Sequence, residues 1–202
     1  MSRVLILHGW TNRRPEGHWE RHLAGELRAS GHIVSYPQMP NTDEPVLSEW
    51  LEVLTAELAM LGEVGERNSE ELVVVAHSLG CIAWMQASAH NLLTEIPNRL
   101  LLVAPPERQP VPMPAFETFV MNHYSDDEIR EIAQRSAASI TVVGSDADIW
   151  QPSGIQAGVA DMLGVTAHVI PGAKHFSHHD GFHRWQGVID WVQNPAANIE
   201  LV

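Results

Sequence analysis

The sequence predicts an α/β fold, a three-layer α/β/α sandwich around a mostly parallel sheet, and three observations carry that expectation. Apolar runs of strand length recur along the chain, segments with helical periodicity separate most of them, and one run, at Val73 to Val75, is three valines in a row. Successive β-branched residues suit a strand covered on both faces, as in a parallel sheet with helices above and below. Alternating strand and helix is the pattern such a sheet needs, because each parallel connection must cross back over a face.

The runs begin at Val4, Ile33, Leu72, Leu100, Ile140 and Ala167. Between them, Trp19, Leu23 and Leu27 share one helical face before Gly31. A longer stripe of Leu47, Trp50 or Leu51, Leu54, Leu58 and Leu61 follows Pro45. Ser125 to Glu128, "SDDE", reads as a capping box that opens the helix "EIREIA". Ile155, Val159 and Met162 repeat before Gly164, and Phe182, Trp185, Val188 or Ile189, and Val192 repeat near the C-terminus. The segment 104–124 departs from this rhythm, because five prolines within ten residues preclude a regular helix or a central strand. It is read as a long connection, functional or flexible, and a candidate for a small cover rather than a deep lid. No internal repeat or boundary is visible, so residues 1–202 are read as one domain.

Composition limits the function classes. Hydrophobic residues make up 45% and charged residues 18% of the 202, which fits a folded globular chain rather than a disordered one. A net charge of −13 without any basic run argues against a nucleic-acid partner. "MSRVLILHG" has an apolar run of only four residues, too short for a signal core or a membrane span, and one cysteine cannot form an internal disulfide. A cytoplasmic protein without a membrane partner is the expectation.

In an open parallel sheet, ligands gather beyond the carboxyl ends of the strands. "AHSLG", Ala76 to Gly80, lies at such an end and fits the nucleophile-elbow pattern, with alanine in place of the first glycine. Small residues two positions either side of Ser78 suit a tight strand-to-helix turn that brings those positions against neighbouring backbone. On the pentapeptide alone, Ser78 is equally well a helix cap. The later loops decide for a nucleophile, since a serine hydroxyl needs a base, and the base needs an acid to fix its tautomer. "GSDADIW" follows the strand at Ile140 and "PGAKHF" follows the strand at Ala167, in the order serine, acid, histidine. Asp148, deeper in its loop, is the expected acid, with Asp146 as runner-up, and His175 is the expected base. The backbone N–H groups of Leu79 and Trp10 are the expected oxyanion donors. His8 is read as a support of the "LHGW" loop or as an ordinary loop residue.

Assembled in this way, the chain resembles the small, lid-poor α/β-hydrolases of the retinoblastoma-binding-protein-9/YdeN type, nearly from end to end. The shared features are "LHGW" with the following "GHW", Pro40-Asn41-Thr42 before a helix, the "AHSLG" elbow, "GSDAD" and "GAKHF". The resemblance implies an α/β-hydrolase fold and a serine hydrolase, often credited with action on short carboxylic esters, with Ser78, Asp148 and His175 as its triad and no cofactor. Ala147 and Ile149 depart from the residues expected beside the aspartate. The Leu-x-Cys-x-Glu motif linked to retinoblastoma-protein binding is absent around Cys81, so that partner is not carried over.

Two other readings compete. The run "HFSHHD", with His179 and His183 at i, i+4 spacing, suggests a metal-dependent hydrolase, though no His-Glu-x-x-His pattern is present and no metal is assigned. A binding module that kept the fold without turnover is the second. The expected substrate is a small soluble ester, with amides as the alternative, held by aromatic residues of the loops: Trp10, Phe116, Trp150 and Phe176. Phe119 belongs to the same group of loop aromatics. An ordinary imidazole titrates near pH ~6.5, so activity is expected to rise through that range.

Overall fold

Successive side chains of a strand point to opposite faces, and in this protein that alternation divides the core in two. Leu5 and Leu7 of β1 (Ser2–Leu7) join one apolar layer, while Val4 and Ile6 join the other. β3 (Glu71–His77) divides the same way, with Val74 and Ala76 on the first face and Val73 and Val75 on the second. The computed structural model of the protein describes residues 1–64, 70–108 and 114–202.

The remaining strands are β2 (Ile33–Ser35), β4 (Arg99–Val103), β5 (Ile140–Gly144) and β6 (Ala167–Val169). All six predicted runs are therefore strands, and they form one sheet of order β2-β1-β3-β4-β5-β6 with every pairing parallel. Helices α1 (Trp19–Ala29) and α6 (Gln186–Gln193) pack on the face that carries Val4 and Val73. Helices α2 (Leu47–Val64), α3 (Leu79–Ala89), α4 (Asp126–Ser136) and the short α5 (Asp161–Leu163) cover the other. This is the expected three-layer arrangement.

Local signals explain the ends of these elements. Both halves of the Ser125–Glu128 capping box are formed at α4. The periodic stretch from Ile155 is partly π-helical, Gln156–Ala160, before it becomes α5, and Gly164 ends it with φ +74°. The C-terminal helix is shorter than its apolar spacing predicts. A second capping box at Ser177 closes on Asp180 as a 3₁₀ turn, Gly181 turns left-handed at φ +84°, and α6 starts only at Gln186. Phe182 and Trp185 thus precede the helix, where they pack in an aromatic cluster with Phe176 and Trp19.

Among its described residues the proline-rich connection forms a 3₁₀ helix at Pro114–Phe119 and no α-helix; residues 109–113 lie outside the described ones. Among the described residues, no helix is long and apolar enough to cross a membrane.

Two glycines in helices offer a test of packing. A Cβ on Gly80 of α3 would lie 2.5 Å from the Leu7 carbonyl oxygen and 2.9 Å from that of His8, while a Cβ on Gly25 of α1 would meet nothing within 4 Å. Gly80→Ala should therefore destabilise the protein by about 1–3 kcal/mol through overpacking against backbone. Gly25→Ala should stabilise it by about 0.5–1 kcal/mol through helix propensity. Urea denaturation reads both, and equal midpoints for the two variants would contradict this packing of α3 on β1.

Candidate active site

The site forms where β1, β3, β5 and β6 end. β3 runs straight into α3, and Ser78 between them has φ 53° and ψ −122°, a conformation that costs a non-glycine residue about 1–3 kcal/mol. Surrounding bonds hold it there: Ser78 N donates to the Val103 carbonyl at 3.0 Å, and Cys81 N donates to the Ser78 carbonyl at 2.9 Å. Close packing does the rest. Gly9 lies so near that a Cβ there would be 2.6 Å from the Ser78 Cβ, and Gly80 fits against the β1 carbonyls.

His175 reaches Ser78 from the loop after β6. Its Nε2 is 2.8 Å from Ser78 Oγ and its Nδ1 is 2.8 Å from Asp148 Oδ2. A carboxylate can only accept, here from Nδ1–H, which leaves the Nε2 lone pair facing the serine hydroxyl. Asp148 is buried and held in turn, its Oδ1 accepting from Trp150 N at 2.9 Å. Asp146, the alternative acid, is exposed and accepts instead from Gly172 N at 2.7 Å, a tie between two loops. The three side chains named from sequence thus meet, with Asp148 rather than Asp146 beside the imidazole.

A cavity of about 490 Å³ opens over Ser78. Trp10, Phe116 and Trp150 form a continuous aromatic wall on one side of it, with Trp10 and Phe116 edge to face at 4.9 Å and Phe116 and Trp150 at 5.8 Å. Phe176 does not belong to this wall. It is fully buried against Phe182 and Trp185, and its carbonyl accepts from Trp19 Nε1 at 3.0 Å, so the sequence expectation for it is corrected to a core anchor. Phe119 is likewise buried, edge to face with Trp50. Leu79 and Trp10 both border the cavity beside Ser78. Leu79 is the first residue of α3, so its N–H has no acceptor within the helix.

His8 is a support. Its Nδ1 donates to the Gly9 carbonyl at 2.8 Å and its Nε2 accepts from Met39 N at 2.9 Å, bracing the turn that carries Trp10. Burial lowers its pKa to about 4, which keeps it neutral and in that tautomer.

Sequence reasoning missed a second group of polar residues on the other side of the cavity. His18 and His77 line it, and Glu20 lies fully buried behind them. Burial pushes the Glu20 pKa up to about 8 and that of His18 down to about 4, and holds His77 well below the usual imidazole range. One signal was legible: Glu20 shares the buried stripe of α1 with Leu23, Ala24 and Leu27, an acid among apolar positions.

The histidine run after His175 is not arranged as its spacing suggested. His178–Asp180 is a 3₁₀ turn and Gly181 breaks the chain, so the i, i+4 spacing of His179 and His183 does not place them on one helical face. The neighbouring rings are His178 and His183, at 4.7 Å.

The sheet order, the elbow and the serine, imidazole and carboxyl in contact at the strand ends define an α/β-hydrolase. A family model described as serine hydrolase matches residues 4–194, and the chain belongs to that family. It is 26% identical over 181 residues to YdeN of Bacillus subtilis strain 168, a match that covers 90% of this chain and 89% of that protein. The crystal structure of the ydeN gene product superposes with a TM-score of 0.75 at 24% identity, covering 96% of this chain and 97% of that one. A structure from work on LipS and LipT, two metagenome-derived lipolytic enzymes, matches in fold with a TM-score of 0.65 at 14% identity, covering 95% of this chain and 91% of that one.

The buried ionisable groups dictate a pH dependence of stability. His8 and His18 have folded values near 4 against 6.5 for the free group, so the unfolded chain binds more protons between those values and stability is lost as pH falls from about 6.5 to 4. Glu20 runs the other way, with about 8 when folded against 4.5 when free, so its contribution is lost as pH rises through 8. Histidines outnumber the acid where the windows overlap. Stability to urea should therefore peak near pH 6.5, and Glu20→Gln should remove the alkaline decline. A profile that is flat from pH 5 to 9 would contradict these assignments.

Proposed function

We propose that the protein hydrolyses small carboxylic esters through an acyl-enzyme on Ser78, with His175 as general base and acid and Asp148 as the group that fixes the imidazole. The observation that carries this reading is the pair of 2.8 Å hydrogen bonds joining Ser78 Oγ, His175 and the buried Asp148. The lipolytic activity named for LipS and LipT is consistent with ester chemistry on this fold.

In the first half-reaction Ser78 Oγ bonds to the acyl carbon while its proton passes to His175 Nε2. The imidazolium so formed is stabilised by Asp148 across Nδ1–H. The carbonyl oxygen gains the negative charge, and the free N–H of Leu79 with that of Trp10 are assigned to receive it. Collapse breaks the bond to the alcohol, which leaves with the proton from Nε2. Water then attacks the acyl group, gives its proton to His175, and the acid departs as Ser78 regains a hydrogen.

The cavity sets the substrate class. A volume of about 490 Å³ with one aromatic wall suits a short acyl chain, and the pocket has room for one small ligand. The imidazole side is assigned to the more polar leaving group.

A fluorophosphonate probe should label the wild-type protein, and Ser78→Ala should abolish the labelling. An unlabelled wild type would favour a binding module instead. With p-nitrophenyl esters, Asp148→Asn should lower kcat by about 10⁴, because the amide favours the imidazole tautomer that carries its proton on Nε2. Asp146→Asn should leave kcat within about twofold, since the exposed Asp146 accepts from Gly172 N and Ser145 Oγ and not from the imidazole. Equal losses in the two variants would refute the choice of acid. Phe116→Ala should raise KM for butyrate esters by about tenfold with little change in kcat, the sign of lost uniform binding. An unchanged KM would remove the aromatic wall from the acyl site.

A further inference from the structure

Glu20, His77 and the loop of His175 form a chain that the hydrolytic scheme does not use. Glu20 lies in the first turn of α1 and is completely buried, with no lysine or arginine paired with it among the described residues. A buried carboxyl group without a cation keeps its proton, because the charged form has lost its water. Its Oε2 is already an acceptor twice over, from Asn12 Nδ2 at 2.7 Å and from the Tyr36 hydroxyl at 3.0 Å. The proton therefore belongs on Oε1, and Oε1 is buried with no hydrogen-bond partner among the described residues.

The same bookkeeping applied to His77 gives the complement. Its Nε2 lies 2.9 Å from the His175 carbonyl oxygen, which can only accept, so Nε2 carries the hydrogen. In a neutral ring Nδ1 is then a bare acceptor, and among the described residues Nδ1 is also buried without a partner. A carboxyl oxygen of Glu20, a ring nitrogen of His77 and a ring nitrogen of His18 lie within 4.8 Å of one another. One orphaned donor and one orphaned acceptor on side chains clustered this tightly are joined by a small rotation or by a single water.

We infer that Glu20 is a positioning residue: its carboxyl hydrogen bonds His77 Nδ1, directly or through one water, and the ring passes that order on by clamping the His175 carbonyl through Nε2–H. The clamp acts where the backbone most needs it. Lys174 and Phe176, on either side of His175, both have left-handed φ angles, 49° and 56°, so the loop that presents the base is held by its anchors rather than by its own preference. Phe176 is anchored through its carbonyl to Trp19 Nε1, one residue before Glu20 in the chain. The first turn of α1 thus secures both peptide groups that follow the base.

The trio of His18, Glu20 and His77 also carries donor types that zinc takes, but the approach is already engaged. Asn12 and Tyr36 occupy Glu20 Oε2, and the Glu20 N–H points at His18 Nδ1 at 3.3 Å. Among the described residues, the titratable groups facing Glu20 are His18, Tyr36, His77 and, from α3, Cys81, and Arg14 lies over the Tyr36 ring, 5.5 Å from its centroid. Burial holds both histidines neutral near pH 7 and keeps the Tyr36 and Cys81 protons in place, so the proton of Glu20 is the one exchanged in the mildly alkaline range.

This inference rests on the proposed role of His175 and is tested so that the two can fail separately. Ring-¹⁵N spectra of histidine-labelled protein report His77 whether or not any ester is turned over. They should show Nδ1 as an unprotonated nitrogen accepting a hydrogen bond in the wild type and in Glu20→Gln, whose amide keeps a donor at Oε1 and an acceptor at Oε2. In Glu20→Met the Nδ1 signal should move to that of a free nitrogen. On p-nitrophenyl acetate, Glu20→Met should lower kcat by about tenfold or more at unchanged KM, as for a slightly misplaced base. Glu20→Gln should restore kcat and abolish the alkaline fall that the wild type shows near pH 8. If Glu20→Met does not fold, the His77 signal in the wild type and its persistence above pH 9 in Glu20→Gln decide the matter. A His77 signal identical in all folded variants, or equal loss of kcat in the Gln and Met variants, would overturn the inference. So would uptake of one equivalent of zinc that Glu20→Gln abolishes, because the trio would then be a metal centre.

Discussion

The backbone of Ser78 is forced into a conformation its side chain disfavours, and the geometry of the site follows from that. With φ at 53° the chain leaves β3 and enters α3 within a single residue, which lifts Oγ above the sheet edge and starts a helix directly behind it. The turn is stable only because its neighbours leave room. Gly9 admits the Ser78 side chain from the β1 loop, Gly80 lets α3 rest on the carbonyls of Leu7 and His8, and Ala76 fits the strand beneath. Strain at one residue is thus balanced by close packing at three others, and the same packing brings the Trp10 loop to the serine.

Beneath the reacting groups lies a layer of imidazoles that burial keeps uncharged. His8 braces the turn before Trp10, His77 holds the carbonyl of His175, and His18 caps α1 by accepting from Glu20 N. Neutral rings suit this task because each presents one donor and one acceptor in a fixed direction, and a charged ring in a buried place would be costly. At the starts of β1 and β4 the buried polar groups are charged instead, where Arg3 and Arg99 form paired bonds with Glu95 and Glu71. At the catalytic end the buried neutral rings leave a charge formed during reaction less screened than in water.

Much of this was legible in the sequence, for identifiable reasons. The central strands β1, β3 and β4 announced themselves because strands buried on both faces read as apolar runs, while the edge strands β2 and β6 are short and partly exposed. Ser78 and His175 were legible because the ends of such strands are where ligands gather and each carries a short, characteristic loop. Asp148 could be ranked over Asp146 only by depth in the loop, and the structure supplies the reason: Asp146 is used to hold Gly172. Phe176 misled because adjacency to His175 places it on the loop, while its left-handed φ of 56° turns the ring inward to Trp185. The start of α6 misled because Phe182 and Trp185 continue the apolar spacing although Gly181 has broken the backbone. Glu20 and His77 were invisible as a pair, since residues 57 positions apart reveal contact only when the chain is folded.

The central claim, that Ser78 is brought to His175 as a working nucleophile, is tested most directly by trapping the covalent intermediate. The protein is mixed with a p-nitrophenyl ester, quenched in acid within the first turnovers, digested and mapped by mass spectrometry. The account predicts acyl mass on the peptide that contains Ser78, formed at a rate matching the first burst of p-nitrophenol. Turnover of the ester with no acylated peptide, or with the acyl group on a different residue, would contradict it.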